Sequence, residues 1–300
     1  MIEPDLIQSV NVHSILPILP ASPRPARRPF RRKPAPERRT ITDRRGRYRL
    51  DYLSASERDW LEQDLERAAQ VQRHLLPDTN MHFEGWDISY RYQAFGPLGG
   101  DYCDILPGED GEKELLLALG DASGKGIAAS LLMAQLHAIF RTLGSTHLTV
   151  QELVERANQI LCQHSVSRSF ATLVCVRATS EGEVEIGNAG HCSPLLVGPA
   201  GVTRIEAGGL PLGMFPNAHC EVTRKRLAKG ESLFLYTDGL TEARNASDSE
   251  YGAERLLEKV EEGSALPPQA MIETCMESVA AFRADAPSTD DVTVMAMRYA

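Results

Sequence analysis

Trp86-Asp87-Ile88-Ser89-Tyr90-Arg91-Tyr92-Gln93-Ala94 alternates residue by residue. Trp86, Ile88, Tyr90, Tyr92 and Ala94 share one parity; Asp87, Ser89, Arg91 and Gln93 share the other. Side chains of an extended chain point alternately to opposite faces, so this run is a strand with one face buried. Beyond it, short apolar runs fit strands at 114–119, 170–178, 183–187, 194–197, 221–226, 231–236 and 292–298. Ser180-Glu181-Gly182 forms a hairpin turn between the second and third of these. Four longer segments have helical character: 127–143, which is apolar and free of proline, 149–164, 251–262 and 268–284. Short strands joined by tight turns, with the helices falling in two pairs, indicate an α+β fold of antiparallel sheets flanked by helices. They lack the strand–helix alternation of a parallel α/β sheet.

Upstream of residue 86, Ser54 and Glu57 match a capping box, with Leu53 placed as a hydrophobic staple. Leu61, Leu65, Ala68, Val71 and Leu75 follow at helical spacing up to Pro77. This amphipathic helix offers a surface for homodimerisation or for control by a partner. Before it, residues 17–36 hold seven prolines, and residues 22–49 carry twelve Lys/Arg against two acids, Glu37 and Asp43. So few apolar groups do not offset the entropy of ordering, and the segment reads as a disordered, solvated tail. The expected organisation is a tail over 1–53, a linker helix over 54–78 and a catalytic domain over 79–300.

The 300 residues have a net charge of −9, so the basic tail is attached to a strongly acidic body. No motif for binding DNA or RNA accompanies the basic run, and no nucleic-acid partner is expected. No apolar run approaches the ~18 residues of a membrane span, and the N-terminus lacks a signal-peptide pattern; a cytoplasmic protein is expected. The six cysteines, at 103, 162, 175, 192, 220 and 275, have irregular spacing and no C-x-x-C. They read as small buried hydrophobes rather than disulfides or zinc ligands.

Four aspartates each lie beside a strand: Asp101 in Gly99-Gly100-Asp101-Tyr102, Asp121 in Gly120-Asp121-Ala122-Ser123, Asp238 in Tyr236-Thr237-Asp238-Gly239, and Asp290 in Thr289-Asp290-Asp291-Val292. A sheet holds a carboxylate at a strand end in place, and an adjacent glycine permits the tight bend that lets several converge. Converged carboxylates repel unless a cation lies among them. All-oxygen ligation suits Mg²⁺ or Mn²⁺, and two such ions can deprotonate a shared water and neutralise phosphate oxygens. Taken singly, each aspartate is equally at home in a turn or a helix cap.

Seven segments occur in order over roughly 65–300: Ala69-Gln70-Val71-Gln72-Arg73-His74-Leu75-Leu76-Pro77, Gly99-Gly100-Asp101-Tyr102-Cys103-Asp104, Gly120-Asp121-Ala122-Ser123-Gly124-Lys125-Gly126, Asn188-Ala189-Gly190-His191, Gly209-Leu210-Pro211-Leu212-Gly213, Leu235-Tyr236-Thr237-Asp238-Gly239-Leu240-Thr241-Glu242-Ala243 and Asp290-Asp291-Val292-Thr293. With them the chain resembles the bacterial stress-response and sporulation branch of the PPM (PP2C-like) metal-dependent phosphatases.

The resemblance implies a four-layer α/β/β/α sandwich and two divalent cations, Mn²⁺ or Mg²⁺, at one edge. It implies metal ligation by Asp101, Asp121, the Ala122 carbonyl, Asp238 and Asp290, with Asp121 and Asp238 essential to catalysis. Asp290 is chosen over Asp291 because it has the parity of Val292 and Val294; Asp291 is left to turn hydrogen bonding. The implied reaction is hydrolysis of phosphoserine or phosphothreonine on a regulatory protein of the anti-sigma-factor-antagonist type, by a metal-activated hydroxide. The alternative is a catalytically silent module that binds a phosphoprotein. Where some relatives carry a histidine as general acid, this chain has Ser123. His191 is then either a proton donor or a loop-holding residue, and Lys125 either a phosphate contact or a surface lysine. Cys103 stands where the family often has an aromatic.

Overall fold

A computed structural model of the chain describes residues 54–108, 113–164, 169–206 and 208–300. The tail expected over 1–53, including the Leu53 staple, lies outside them. Ser54–Ala300 forms one compact unit. In chain order its elements are α1 (Ala55–Arg73), β1 (Asn80–Phe83), β2 (Trp86–Gln93), β3 (Asp101–Pro107), β4 (Glu114–Ala122), α2 (Ile127–Gly144), α3 (Val150–His164), β5 (Ala171–Thr179), β6 (Glu183–Ala189), β7 (Leu195–Gly198), β8 (Gly201–Arg204), β9 (Val222–Arg226), β10 (Ser232–Tyr236), the single turn α4 (Asp238–Thr241), α5 (Ala253–Glu262), α6 (Pro268–Arg283) and β11 (Val292–Tyr299).

The strands form two sheets, ordered β1-β2-β11-β10-β7-β8 and β3-β4-β5-β6-β9. All nine pairings between these strands are antiparallel. Strand parity sorts the apolar side chains into three layers. Leu115, Leu117 and Leu119 of β4 meet Ile88 of β2, Leu233 and Leu235 of β10 and Met295 and Met297 of β11 between the sheets. The opposite parity of β4, Leu116 and Ala118, faces Met133, Leu136 and Phe140 of α2 and Leu153 of α3. On the other outer face Phe234, Val294 and Ala296 meet Leu256 and Val260 of α5 and Met271 and Cys275 of α6. The result is a four-layer α/β/β/α sandwich, held by burial of aliphatic side chains worth roughly 1.5–3 kcal/mol each. Trp86 spans the two sheets, its buried indole donating to the Thr179 carbonyl at 2.8 Å.

Helix α2, with a mean hydropathy of 1.3 over 18 residues, is long and apolar enough to cross a membrane by length and composition alone. Here its apolar face lies against the five-stranded sheet. Helix α1 begins in the capping box: Ser54 Oγ accepts from the Glu57 N–H, and the Glu57 carboxylate accepts from the Ser54 N–H at 2.8 Å. The helix ends at Arg73, ahead of Pro77, with Ala69 and Gln72 buried.

Three strands have no counterpart in the sequence reading. β1 and β8 are four-residue edge strands, too short for periodicity to show. β3 is buried on both faces from Asp101 to Ile105, so it shows no alternation, and the charged Asp104 interrupts its apolar run. The last strand, β11, inserts between β2 and β10, which brings residues 290–293 beside 93–101 and 236–239.

Candidate active site

Asp101 opens β3 and Asp121 lies one residue from the end of β4, and the register pairs them directly across the five-stranded sheet. Asp238 is the first residue of α4, immediately after β10, and Asp290 lies two residues before β11. Strand ends from both sheets thus bring all four aspartates to one rim. The crossing between sheets is hydrogen bonded: Asp101 Oδ2 accepts from Thr293 Oγ1 at 2.6 Å and from Thr237 Oγ1 at 2.9 Å. Thr237 in turn accepts from the Thr293 N–H at 2.9 Å, which ties the leads of β10 and β11 together. At Gly239 a Cβ would lie 1.9 Å from the Asp291 carbonyl oxygen, so only glycine lets α4 pass this close to the β11 lead.

The electrostatics of this rim are those of an acidic cluster removed from water. Burial pushes Asp101, 2% exposed, well above the usual carboxylate range; Asp121 and Asp291 push the same way, against the Thr293 and Thr237 hydroxyls. Burial, then Asp238, Asp290 and Asp291, raise Asp121 to about 7, with Lys125 opposing. Asp238 is raised by burial and by Asp290, with the Gly239 backbone and Lys125 opposing. Lys125 donates to Asp290 Oδ2 at 2.6 Å and to the Thr289 carbonyl at 2.5 Å, and lies 5.6 Å over the Phe95 ring. In this structure its ammonium belongs to the acidic rim.

Asp291 does more than hold a turn. Its Oδ1 accepts from the Phe95 N–H at 2.7 Å and its Oδ2 from the Gly100 N–H at 2.5 Å, which clamps the loop leading to Asp101. Both oxygens of Asp291 are thus engaged by backbone donors, while Asp290 faces the Asp121 and Asp238 charges. Ala122 is buried beside Gly100, its N–H donating to the Gly100 carbonyl at 3.3 Å.

Ser123, at the position of the general-acid histidine, and His191, the candidate proton donor, both make structural bonds. Ser123 Oγ accepts from the Phe170 N–H at 2.9 Å and its own N–H donates to the Phe170 carbonyl at 2.8 Å. His191 is 6% exposed; its Nδ1 bonds Thr172 Oγ1 at 2.8 Å and its N–H donates to Asn188 Oδ1 at 2.7 Å. Burial pushes the imidazole down to about 4, with the Tyr236 backbone opposing, so it is neutral at pH 7 and holds a loop. Burial, with Asp238 and Asp121, pushes the Cys192 thiol up to about 12, and Cys103 is fully buried and also raised, so neither supplies a thiolate.

The donor set consists of carboxylates, and the adjacent Ala122 backbone offers an oxygen. The excess negative charge is what a divalent cation would relieve, so the rim fits Mg²⁺ or Mn²⁺ in donor type and charge. Among the described residues no three His, Cys, Asp or Glu side chains are arranged as a closed metal-ligand group. Sequence reasoning had passed over Thr237, Thr293 and the clamp made by Asp291. The one signal for the threonines is parity, since Thr293 alternates in step with Met295 and Met297 of the inter-sheet layer.

A family model described as Stage II sporulation protein E (SpoIIE) matches residues 111–300. The chain is 28% identical over 225 residues to Protein IcfG of Synechocystis, an alignment that covers 65% of this chain and 35% of IcfG. It is 25% identical over 243 residues to Phosphoserine phosphatase RsbU of Bacillus subtilis, covering 79% of this chain and 70% of RsbU. The SiaA-PP2C domain of Pseudomonas aeruginosa shares the fold at a TM-score of 0.71 and 18% identity, over 82% of this chain and 99% of that domain.

Proposed function

The chain belongs to the SpoIIE family, and on that premise we propose that it is a metal-dependent protein serine/threonine phosphatase. The observation that carries the reading is the rim itself: Asp101, Asp121, Asp238 and Asp290 come together from four separate segments, and burial beside neighbouring carboxylates raises Asp101, Asp121 and Asp238. Asp101, Asp121, Asp238, Asp290 and the Ala122 carbonyl would hold two divalent cations, Mn²⁺ or Mg²⁺. Such a pair supplies Lewis acidity and an activated water at neutral pH.

The protein's own residues do the positioning. Thr237 and Thr293 fix the Asp101 carboxylate from the opposite sheet, and Asp291 fixes the loop before it. Lys125 is the cation beside the rim, placed to meet phosphate oxygens once freed from Asp290. His191, neutral and buried, does not donate a proton to the leaving oxygen, and Ser123 ties the end of β4 to the Phe170 backbone.

The substrate we propose is phosphoserine or phosphothreonine on a cytoplasmic regulatory protein of the anti-sigma-factor-antagonist type. The likeness to an RsbU named as a phosphoserine phosphatase supports the phosphoserine part of this reading. The test is turnover of phosphoserine proteins with Mn²⁺ and Mg²⁺, wild type beside Asp121→Ala and Asp238→Ala. Activity should vanish in both variants and on chelation with EDTA. Full activity in the metal-stripped protein would reject the reading, and binding without turnover would mark a silent phosphoprotein-binding module instead.

A further inference from the structure

We propose that Gln72 is a positioning residue of the active site: from α1 its side-chain amide sets the Gly99 peptide and, through it, the Asp101 carboxylate and the Ala122 carbonyl. The inference rests on the reading that the rim binds divalent cations.

Gln72 is 7% exposed. Its Nε2 donates to the Gly99 carbonyl at 2.7 Å, and its Oε1 accepts from the Gly99 N–H at 3.0 Å. The amide thus caps both polar groups of one residue, as a neighbouring strand would. Gly99 has no strand partner, since β3 begins at Asp101. It also has no side chain to pack: a Cβ there would lie 2.0 Å from the Tyr92 hydroxyl. Its placement therefore depends on the two bonds to Gln72. The next residue, Gly100, is held by Asp291 through its N–H and by the Ala122 N–H through its carbonyl. Successive units of the lead into β3 are thus gripped by α1, by the lead of β11 and by the end of β4. Asp101 follows at once, with its carboxylate already held by Thr237 and Thr293.

Packing alone does not hold α1 at this point. A cleft of about 890 Å³ lies between Gln72 and Arg73 of α1, Leu76 just beyond it, Tyr92 of β2 and Ile272 and Met276 of α6. A helix beside open space keeps its distance from a loop through directional bonds, so loss of the Gln72 amide releases the loop without collapsing a core. Groups that orient metal ligands from behind typically contribute about 10-fold to 100-fold in metal affinity. Gln72 is placed to be such a group, and α1 is therefore part of the site.

The probe is Mn²⁺ alone, titrated calorimetrically into the full-length chain as wild type, Gln72→Met and Tyr90→Phe. Tyr90→Phe removes a different anchor, the hydroxyl that donates to the Pro77 carbonyl at 2.7 Å just after α1. Gln72→Met should bind Mn²⁺ at least about 10-fold more weakly, and its turnover should recover toward wild type at saturating Mn²⁺. Tyr90→Phe should melt earlier yet keep wild-type Mn²⁺ affinity. Unchanged affinity in Gln72→Met, or an equal loss in Tyr90→Phe, would overturn the assignment. A wild type that takes up no Mn²⁺ would instead strike down the functional reading, and this inference with it. Should Gln72→Met fail to fold, hydrogen exchange at the Gly99 amide of the wild type decides: protection on the scale of β3 supports the pin, and free exchange refutes it.

Discussion

Asp101 and Asp104 stand three residues apart on β3, and both are essentially buried, at 2% and 0% exposure. Asp104 is matched from within the fold: Arg141 of α2 grips it with Nε at 2.8 Å and an Nη nitrogen at 2.6 Å, and the Ile105 N–H donates at 2.9 Å. Asp101 receives two neutral hydroxyls and faces further carboxylates, with no cation among its hydrogen-bond partners. One carboxylate brings its countercharge with it and serves the joint between α2 and the sheet. The other lies where the fold has concentrated like charge, a costly arrangement in isolation that a bound cation turns favourable. Charge without an internal partner, and not burial, is what separates the aspartate proposed as a metal ligand from the structural one.

The contrast breaks most visibly in activity. Asp101→Asn should lower metal-dependent turnover by more than about 100-fold while leaving the melting temperature of the EDTA-treated protein unchanged or higher, because it removes a repelling charge and keeps an acceptor for both threonines. A clear loss of stability in that variant would mean that Asp101 is as structural as Asp104. Conversely, Arg141→Met strands a buried charge at Asp104 and should cost about 3 kcal/mol in denaturant unfolding, with turnover unchanged at temperatures where the protein remains folded. Replacing both partners, as Asp104→Leu with Arg141→Met, should recover part of that loss.

A finer test concerns His191, the buried neutral group beside the rim. Its folded pKa, about 4, lies below that of a free histidine. Between that value and about 6.5 the unfolded chain binds a proton that the folded chain does not. Stability should therefore fall as pH drops through this window, by about 3 kcal/mol in total. Unfolding of wild type beside His191→Asn between pH 7 and 4.5 measures it, and identical pH profiles would place a proton-accepting partner at the imidazole. The smallest effect is at the far end of α1, where Ser54→Ala removes the capping box. It should cost about 1 kcal/mol, with no change in Mn²⁺ affinity, whereas Gln72→Met changes affinity first.

Much of this architecture was legible in local patterns. The alternation at 86–94 and the short apolar runs gave eight of the strands to within a few residues, and the two helix pairs came from apolar periodicity. β3 escaped because burial on both faces erases alternation and Asp104 looks like a surface residue until Arg141 is seen against it. The glycine-flanked aspartates were legible because tight bends at strand ends leave a local mark.

What the chain determined by itself was therefore short in range: which segments extend, which coil, and which carboxylates stand at strand ends. Only the tertiary structure decided that β11 enters between β2 and β10, that Thr293 meets Asp101 across 192 positions, and that Gln72 pins Gly99. The physical reason is that such contacts are set by sheet order and register, to which every buried side chain contributes at once, and no local window of sequence contains both partners.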